Sequence, residues 1–501
     1  MSKKYRILML TTLIISGCSM CYELIISAVS SYLLGNSTLQ YSITIGLYMA
    51  SLGLGSYISK YFSKNLFNIF VSIELGIGVI GGVSSLLLFL ANIYVSNYAL
   101  VMYIEIIIIG TFAGAEIPVM TRIIEQDENN LKVTLSSIFS FDYIGGLVGA
   151  IAFPLLLLPK LGYFATSFLC GLMNIIAALI IMRRFGENVD NIGLFRAAAR
   201  ILAMLMLVGM VFSDNISESI EGGLYRDKVT LIEQTQYQKI VMTKHRDDVR
   251  LYIDGNCQFS TSDEYRYHEA LVHVPMNEIK SRDSILILGG GDGLAVREVL
   301  KYDDVKKIDL VDLDSEMIRI CSTNKDILAI NEGSLLSDKL SIFNTDAYEY
   351  LENSSEKYDL IIVDLPDPNT EVLNKLYSNI FYRMCAGCLK DDGVMVVQST
   401  SPYYARDAFW CINKTIESEG FYVKPYHLEV PAFGDWGFNM ASRHELSENI
   451  SFDVDTKYLT EENVVALFKF GKDEVAGDVA INRLTKPTLM EYYNKAEEAW
   501  N

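Results

Sequence analysis

The chain changes its hydrophobic period twice. Residues 7–27 form one apolar run, and further runs follow at about 41–59, 66–91, 98–121, 138–158, 162–182 and 196–213. Each is long enough for the roughly 30 Å of hydrocarbon in a bilayer. The pattern therefore predicts a multi-span α-helical membrane domain over residues 1–213, with about seven transmembrane helices, and Pro159-Lys160-Leu161-Gly162 turning the chain between the fifth and sixth. After residue 213 the apolar stretches shorten and alternate, at Lys228–Ile232, Lys239–Thr243 and Arg250–Ile253, with Asp254-Gly255 as a turn. That period predicts a small antiparallel β domain over residues 214–275. From Ser284 the pattern becomes strand, turn, helix, strand, with strands at 284–288, 307–311, 359–363 and 393–398. This alternation predicts a mostly parallel sheet covered by helices over residues 276–445. The tail, 446–501, is charged, with weak helical patterns at 460–470 and 487–500 and no motif.

Charge sharpens the division. Residues 1–212 hold 12 Lys+Arg and 10 Asp+Glu, whereas the remainder holds 30 and 51. A nearly neutral apolar part joined to a strongly acidic one fits a membrane module followed by a soluble domain, and excludes nucleic acid as a natural partner. Basic residues at Lys3, Lys4 and Arg6, at Lys60 and Lys64, at Arg122 and Lys132, and at Arg183 and Arg184 fall on alternate sides of the spans, which places the amino terminus in the cytoplasm. Seven spans then put the soluble domain outside, but Arg196 and Arg200, i,i+4 on one face, also allow an interfacial last helix and a cytoplasmic soluble domain. The protein is expected at the cell membrane in either case. Glu23, Glu74, Glu105, Glu116 and Asp142 lie in or near the apolar runs. Carboxyls there either bond helix to helix in their protonated form or line a path for a cation, and Glu23 and Glu116 have the more central or glycine-flanked settings. The pairs Cys18/Cys21 and Cys385/Cys388 lack a second ligand pair at zinc-finger spacing and are assigned to packing; no metal is expected.

Candidate chemistry gathers at the strand ends. Ser284–Leu288 runs into Gly289-Gly290-Gly291-Asp292-Gly293, where glycines at Gly289 and Gly291 let the backbone turn beneath a nucleotide-type ligand. Asp292 puts a carboxylate where a phosphate loop avoids one, which points to a cationic ligand. Asp312 follows the second strand and is placed to accept from ribose hydroxyls. Asp346 follows Leu340–Asn344 and can accept from an adenine amine; Asp364 follows Leu360–Val363. Each acid alone could be a helix cap, but four at successive strand ends describe a site. Asp263–His273 forms a helix that can bring Tyr267, His268 and Glu269 to one rim, whereas His273 and His427 are assigned to packing or the surface.

Tyr237-Gln238, Tyr267-His268-Glu269, Gly289–Gly293, Asp346-Ala347 and Asp364-Leu365-Pro366-Asp367-Pro368 stand in the order and spacing of spermidine synthases, the polyamine aminopropyltransferases. The resemblance spans about residues 225–440, and the whole chain resembles the bacterial multi-pass membrane-bound branch, with Lys375–Ser378 and Trp436-Gly437-Phe438 also fitting. It implies a Rossmann-like domain of the class I methyltransferase type and transfer of an aminopropyl group from decarboxylated S-adenosylmethionine, a co-substrate rather than a bound cofactor, to putrescine. By resemblance, Gln238, Asp312, Asp346 and Ala347 hold the nucleoside, His268 and Asp292 the amine chain, and Asp367 the polyamine, while Asp364 accepts the proton. A homodimer through the small β domain is implied in the same way.

The chain departs from the family pattern at Asn369-Thr370-Glu371, where Asp-Pro-x-Gly-Pro is usual, at Phe433, where soluble members have Tyr, and at Ala347, commonly Gly. These departures bear on the acceptor amine more than on the reaction. Two other readings compete: a class I S-adenosylmethionine-dependent methyltransferase, and a polyamine transporter or sensor whose synthase-like domain only binds. Asp292 would repel the carboxylate of intact S-adenosylmethionine, and a retained Asp364 argues for catalysis.

Overall fold

In a computed structural model the chain is described at residues 3–34, 37–95, 97–125, 131–447 and 450–500; Met1 and Ser2, which open the basic leader, lie outside the described residues. It divides into two compact units, Met1–Arg226 and Asp227–Asn501.

The first unit is helical. Helices α1 (Lys3–Leu34), α2 (Ser37–Ile58), α3 (Leu66–Ile80), α4 (Ser84–Tyr94), α5 (Tyr98–Glu125), α6 (Leu131–Ala152), α7 (Leu158–Arg184), α8 (Ile192–Val211) and α9 (Ser213–Leu224) follow in order. Among the described residues, four apolar stretches are long enough to cross a membrane, Arg6–Leu33, Tyr98–Glu125, Leu135–Arg184 and Ile192–Val211, and a fifth if α3 and α4, bent by 46° at Gly81–Val83, act together. The apolar run 41–59 forms α2, which lies outside that set. Where a turn is read at residues 159–162, the backbone stays largely helical through a π-turn at Phe153–Leu157, and only Gly162 leaves the helix, at φ 69°. A left-handed φ there suits only glycine, so one residue makes the break. Close packing accounts for other glycines: a Cβ at Gly55 or Gly114 would strike the backbone of the facing helix. The unit ends beyond residue 213 because α9 packs on α4, α7 and α8.

The second unit carries both predicted β regions. Strands β1 (Lys228–Gln234), β2 (Lys239–His245), β3 (Asp248–Ile253) and β4 (Asn256–Ser260) form an antiparallel meander. Asp254 and Gly255, both at positive φ, make the β3–β4 turn. Helix α10 (Glu264–Met276) leads to the larger sheet of β5 (Ser284–Gly289), β6 (Lys307–Val311), β7 (Leu340–Phe343), β8 (Tyr358–Asp364), β9 (Leu389–Gln398), β10 (Tyr422–Val430) and β11 (Gly434–Ser442). Its order is β10-β11-β9-β8-β5-β6-β7. Strands β5 to β9 are parallel, and the β10–β11 hairpin adds an antiparallel edge. Apolar residues on both faces of β5, β8 and β9 are fully buried, as a doubly covered sheet requires. Helices α11 (Leu294–Leu300), α12 (Ser315–Thr323), α13 (Lys325–Asn331), α14 (Ala347–Asn353), α15 (Glu371–Asn374), α16 (Asn379–Cys388) and α17 (Arg406–Glu417) cover it. The Rossmann-like expectation thus holds for this unit. The tail is folded: three backbone amides, of Lys457, Tyr458 and Leu459, donate to the Glu269 carboxylate, and α18 (Thr488–Trp500) packs on α17. All eight cysteines are free, and both C-x-x-C pairs are buried as packing residues.

Candidate active site

Strand order reverses between β5 and β8, and ligands of open α/β sheets bind in the crevice beyond the strand ends at such a point. Here Gly289 ends β5 in register with Asp364 at the end of β8. A Cβ at Gly289 would collide with the Asp364 carbonyl oxygen, so glycine is required for the two ends to meet. The predicted turn follows, and Asp312, at the end of β6, holds it: its carboxylate accepts from Gly291 N at 3.0 Å and Asp314 N at 2.9 Å. Burial lifts the Asp312 carboxyl to about 6 despite those bonds.

The half-buried Asp292 caps α11 through Leu294 N at 2.9 Å, and burial, partly offset by nearby His268, raises its carboxyl above the ordinary range. The capping role weighed from the sequence is therefore present, and it leaves the second oxygen free of hydrogen bonds among the described residues. Tyr267 and His268 arrive on α10. The Tyr267 hydroxyl donates to Asp364 Oδ1 at 2.6 Å. Burial pulls the His268 imidazole down, but the Glu264 carboxylate at 2.9 Å, with Asp292 and Asp364 near, lifts it to about 9. Glu264 is itself clamped by both Arg297 Nη atoms at 2.9 Å. Burial pushes the Asp364 carboxyl up to about 6, against the lowering effects of His268 and the Tyr267 hydroxyl.

Asp367, in the loop after β8, accepts from Gln398 Nε2 at 3.2 Å and from the Tyr493 hydroxyl at 2.9 Å, and burial raises it to about 6. The same loop is fastened by Tyr377, whose hydroxyl donates to the carbonyls of Leu365 and Pro366. Phe433 sits edge-on to Tyr267, 6.2 Å between ring centres. Beyond the end of β6, Gln238 Nε2 and the Thr235 hydroxyl both donate to Asp314 Oδ2, at 3.0 and 2.7 Å, joining the small sheet to that strand end. Asp346 caps α14 at Tyr348 N and pairs with Lys375 Nζ at 2.6 Å; Ala347 is buried beside it.

Tyr267, His268, Asp292, Asp364 and Asp367 are thus linked through direct bonds or mutual electrostatic effects, and Gln238, Asp312, Gly289 and Gly291 gather at the ends of β5 and β6. Asp346 and Ala347 stand one strand further out, after β7. Glu269 turns away to bind the tail. Sequence reasoning did not single out Glu264, Arg297, Asp314, Gln398 or Tyr493. The i,i+4 pair Glu264/His268 was a visible signal for the first; Tyr493, 126 residues from Asp367, left none. His273 is buried between Glu298 and Tyr302, as a packed histidine. His427, Asp435 and Glu474 lie close enough together to ligate a metal, but both imidazole nitrogens already face acceptors, Asp435 Oδ1 and the Lys469 carbonyl, which describes an imidazolium in an ion pair.

A glycine turn at the β5–β8 switch with a raised carboxyl beside it defines an α/β class whose ligands bind beyond the strand ends. Residues 264–453 match the family model described as "Spermine/spermidine synthase domain". The chain is 40 % identical to the polyamine aminopropyltransferase of Oceanobacillus iheyensis, over 97 % of this chain and 96 % of that one, and 39 % identical to that of Leptospira interrogans, over 99 % and 98 %. A solved spermidine synthase in complex with the transition-state analogue AdoDATO aligns at 28 % identity and a TM-score of 0.46, covering 50 % of this chain and 88 % of that one. The chain belongs to the polyamine aminopropyltransferase family, and it is a transferase.

Proposed function

We propose that the second unit makes spermidine by moving the aminopropyl group of decarboxylated S-adenosylmethionine to putrescine, with Asp364 as proton acceptor. A putrescine ammonium has no lone pair until it loses a proton, and an alkylamine near pKa 10 gives one up reluctantly. Raising the carboxyl from 3.8 to about 6 narrows that gap by about two units, or roughly 3 kcal/mol. This raised, Tyr267-held carboxyl at the nucleoside crevice is the observation that carries the reading. The freed nitrogen attacks the aminopropyl carbon bonded to sulfur; the C–S bond breaks, its electron pair returns to sulfur, and methylthioadenosine leaves as a neutral thioether. No general acid is required, so the remaining work is alignment.

In this reading Asp312 and Gln238 hold the ribose side of the donor, Asp346 and Ala347 the adenine, and Asp292 with His268 orients the aminopropyl chain. Asp367 receives the distal ammonium of the acceptor. Among the described residues, no Lys or Arg forms an ion pair with Asp292, Asp364 or Asp367, which suits two cationic substrates. Asp292, in the absence of a Lys or Arg ion pair among the described residues, disfavours a methyltransferase, whose donor keeps its carboxylate. The first unit is proposed to embed the enzyme in the cell membrane, with the synthase unit on the cytoplasmic side where the nucleoside donor is made. Arg122 supports the charge pattern behind that orientation: its guanidinium donates to the carbonyls of Ser59 and Phe62, so the basic residues of two loops share one end of the helices. Incubation of the purified full chain with decarboxylated S-adenosylmethionine and putrescine should yield equal amounts of spermidine and methylthioadenosine; absence of both would overturn the assignment.

A further inference from the structure

His268 is held by two residues to which the transfer reaction gives no direct part. Its Nδ1 lies 2.9 Å from the Glu264 carbonyl oxygen, one turn back along α10, and 2.9 Å from Glu264 Oε2. A carbonyl and an arginine-bound carboxylate only accept, so Nδ1 carries the hydrogen. Nε2 is left without a hydrogen bond among the described residues. Glu264 cannot turn aside: Arg297 Nη1 and Nη2 each reach one of its oxygens at 2.9 Å. The guanidinium is fixed in turn by Glu298 Oε1 and the Ile330 carbonyl, both at 2.8 Å. Such a two-point grip sets the plane of a carboxylate as well as its position.

The grip lies where the groups around the base converge. The His268 ring centre is 5.0 Å from that of Tyr267, whose hydroxyl bonds Asp364. The Arg297 amide donates at 2.9 Å to the carbonyl of Gly293, the residue after Asp292, and Asn331, next to Ile330, donates to the Asp292 carbonyl at 2.9 Å. One guanidinium therefore ties the helix that carries His268 to the turn that carries Asp292. Stability is a weak reason for the arrangement: the Arg297 and Glu264 side chains are 9 % and 5 % exposed, and desolvation offsets most of the attraction in a buried ion pair. His273, further along α10, shows what a packed histidine does instead. Both its nitrogens are spent inside the protein, on Tyr302 and Glu298, whereas His268 keeps one.

We infer that Glu264 and Arg297 are positioning residues for the amine end of the donor: Arg297 fixes Glu264, and Glu264 holds the His268 ring so that Nε2 meets the aminopropyl ammonium. An ammonium only donates, so Nε2 meets it as an acceptor, and any proton on Nε2 passes to solvent as the ligand arrives. That the ligand is an aminopropyl chain rests on the proposed transfer reaction; the fixed orientation of the ring does not.

Titration calorimetry on the full chain in detergent tests this by comparing decarboxylated S-adenosylmethionine with methylthioadenosine, which shares the nucleoside and lacks the aminopropyl ammonium. Glu264→Gln should weaken donor binding about ten-fold or more, the order expected for a lost charge-assisted hydrogen bond, and leave methylthioadenosine within about two-fold. In a His268→Gln chain, whose amide oxygen can accept in place of Nε2 without help from Glu264, adding Glu264→Gln should change donor affinity less than about three-fold. Two residues that served the fold alone would weaken both ligands together, or would cost as much in the His268→Gln chain. Either result overturns the inference, as does donor affinity unmoved by Glu264→Gln. If Glu264→Gln aggregates, Arg297→Lys, which keeps the charge and gives up the two-point grip, is read in its place with the same expectations. Methylthioadenosine release by the unaltered chain, measured in the same preparation, reports separately on catalysis: donor binding without turnover would overturn the transfer reaction and leave the positioning role, whereas failure to bind the donor would overturn both.

Discussion

Both units are rich in buried acids, yet they treat them in opposite ways. In the α/β unit every acid at a strand end is tied by at least one donor: Asp292 by Leu294, Asp312 by Gly291 and Asp314, Asp346 by Tyr348 and Lys375, Asp364 by Tyr267, Asp367 by Gln398 and Tyr493. In the helical unit Glu105 has no donor, and Glu74 and Glu116 each keep an oxygen without one. A carboxylate fixed by donors presents a defined lone pair to a reacting atom and needs no reorganisation when charge develops. The two units thus differ in how fully their buried acids are bonded, and only the α/β unit holds its acids in a defined orientation.

Four substitutions can break that comparison on its catalytic side. The largest effect is expected for Asp364→Asn, which keeps the shape but removes the proposed base; kcat should fall by about 10²–10⁴, read as methylthioadenosine release, and turnover within ten-fold of the unaltered chain would dismiss that role. Next, Asp292→Asn removes the charge proposed to face the aminopropyl ammonium. It should raise the donor KM by about ten-fold, the equivalent of ~1.4 kcal/mol, and narrow the preference for decarboxylated over intact S-adenosylmethionine; an unchanged preference would assign Asp292 to helix capping alone.

A smaller change is expected from Tyr493→Phe, which deletes one hydrogen bond to Asp367. A bond of this kind is worth about 0.5–1.5 kcal/mol, so the putrescine KM should rise about two- to ten-fold with kcat nearly kept. Equal losses in kcat and kcat/KM would instead mean that the loop itself has moved. The smallest effect is on the pH profile. Asp364 must be ionised to accept a proton, so kcat/KM should climb with pH through about 6 and flatten above it. The Tyr267 hydroxyl stabilises the ionised form, so Tyr267→Phe should move this limb to higher pH; a move downward contradicts the assignment.

What could be read from the sequence follows from how local each constraint is. The glycine turn, the acids after β5 to β8 and the Tyr267/His268 helix are short-range patterns, and the structure places them as their spacing implies. The helical unit was legible as apolar runs but not in its breaks: the bend at Gly81–Val83 and the one non-helical residue Gly162 depend on packing that hydropathy does not encode. The β10–β11 hairpin escaped because its strands carry polar and aromatic residues without clean alternation. Gln398 and Tyr493 escaped for a plainer reason. Their significance lies in partners 31 and 126 residues away, and a lone Gln or Tyr has no pattern of its own.

The tail also sets an order of events. Asp367 leaves the ribosome long before Tyr493, and Asn482, whose side-chain amide donates to the carbonyls of Asn374 and Tyr377 below the same loop, is nearly as late. By then every long apolar helix has already been synthesised. The helical unit is therefore complete first: a nascent chain has all of it available before the loop that holds Asp367 can be fastened. A chain stopped short of α18 would keep every long apolar helix and lose the Tyr493 bond to Asp367.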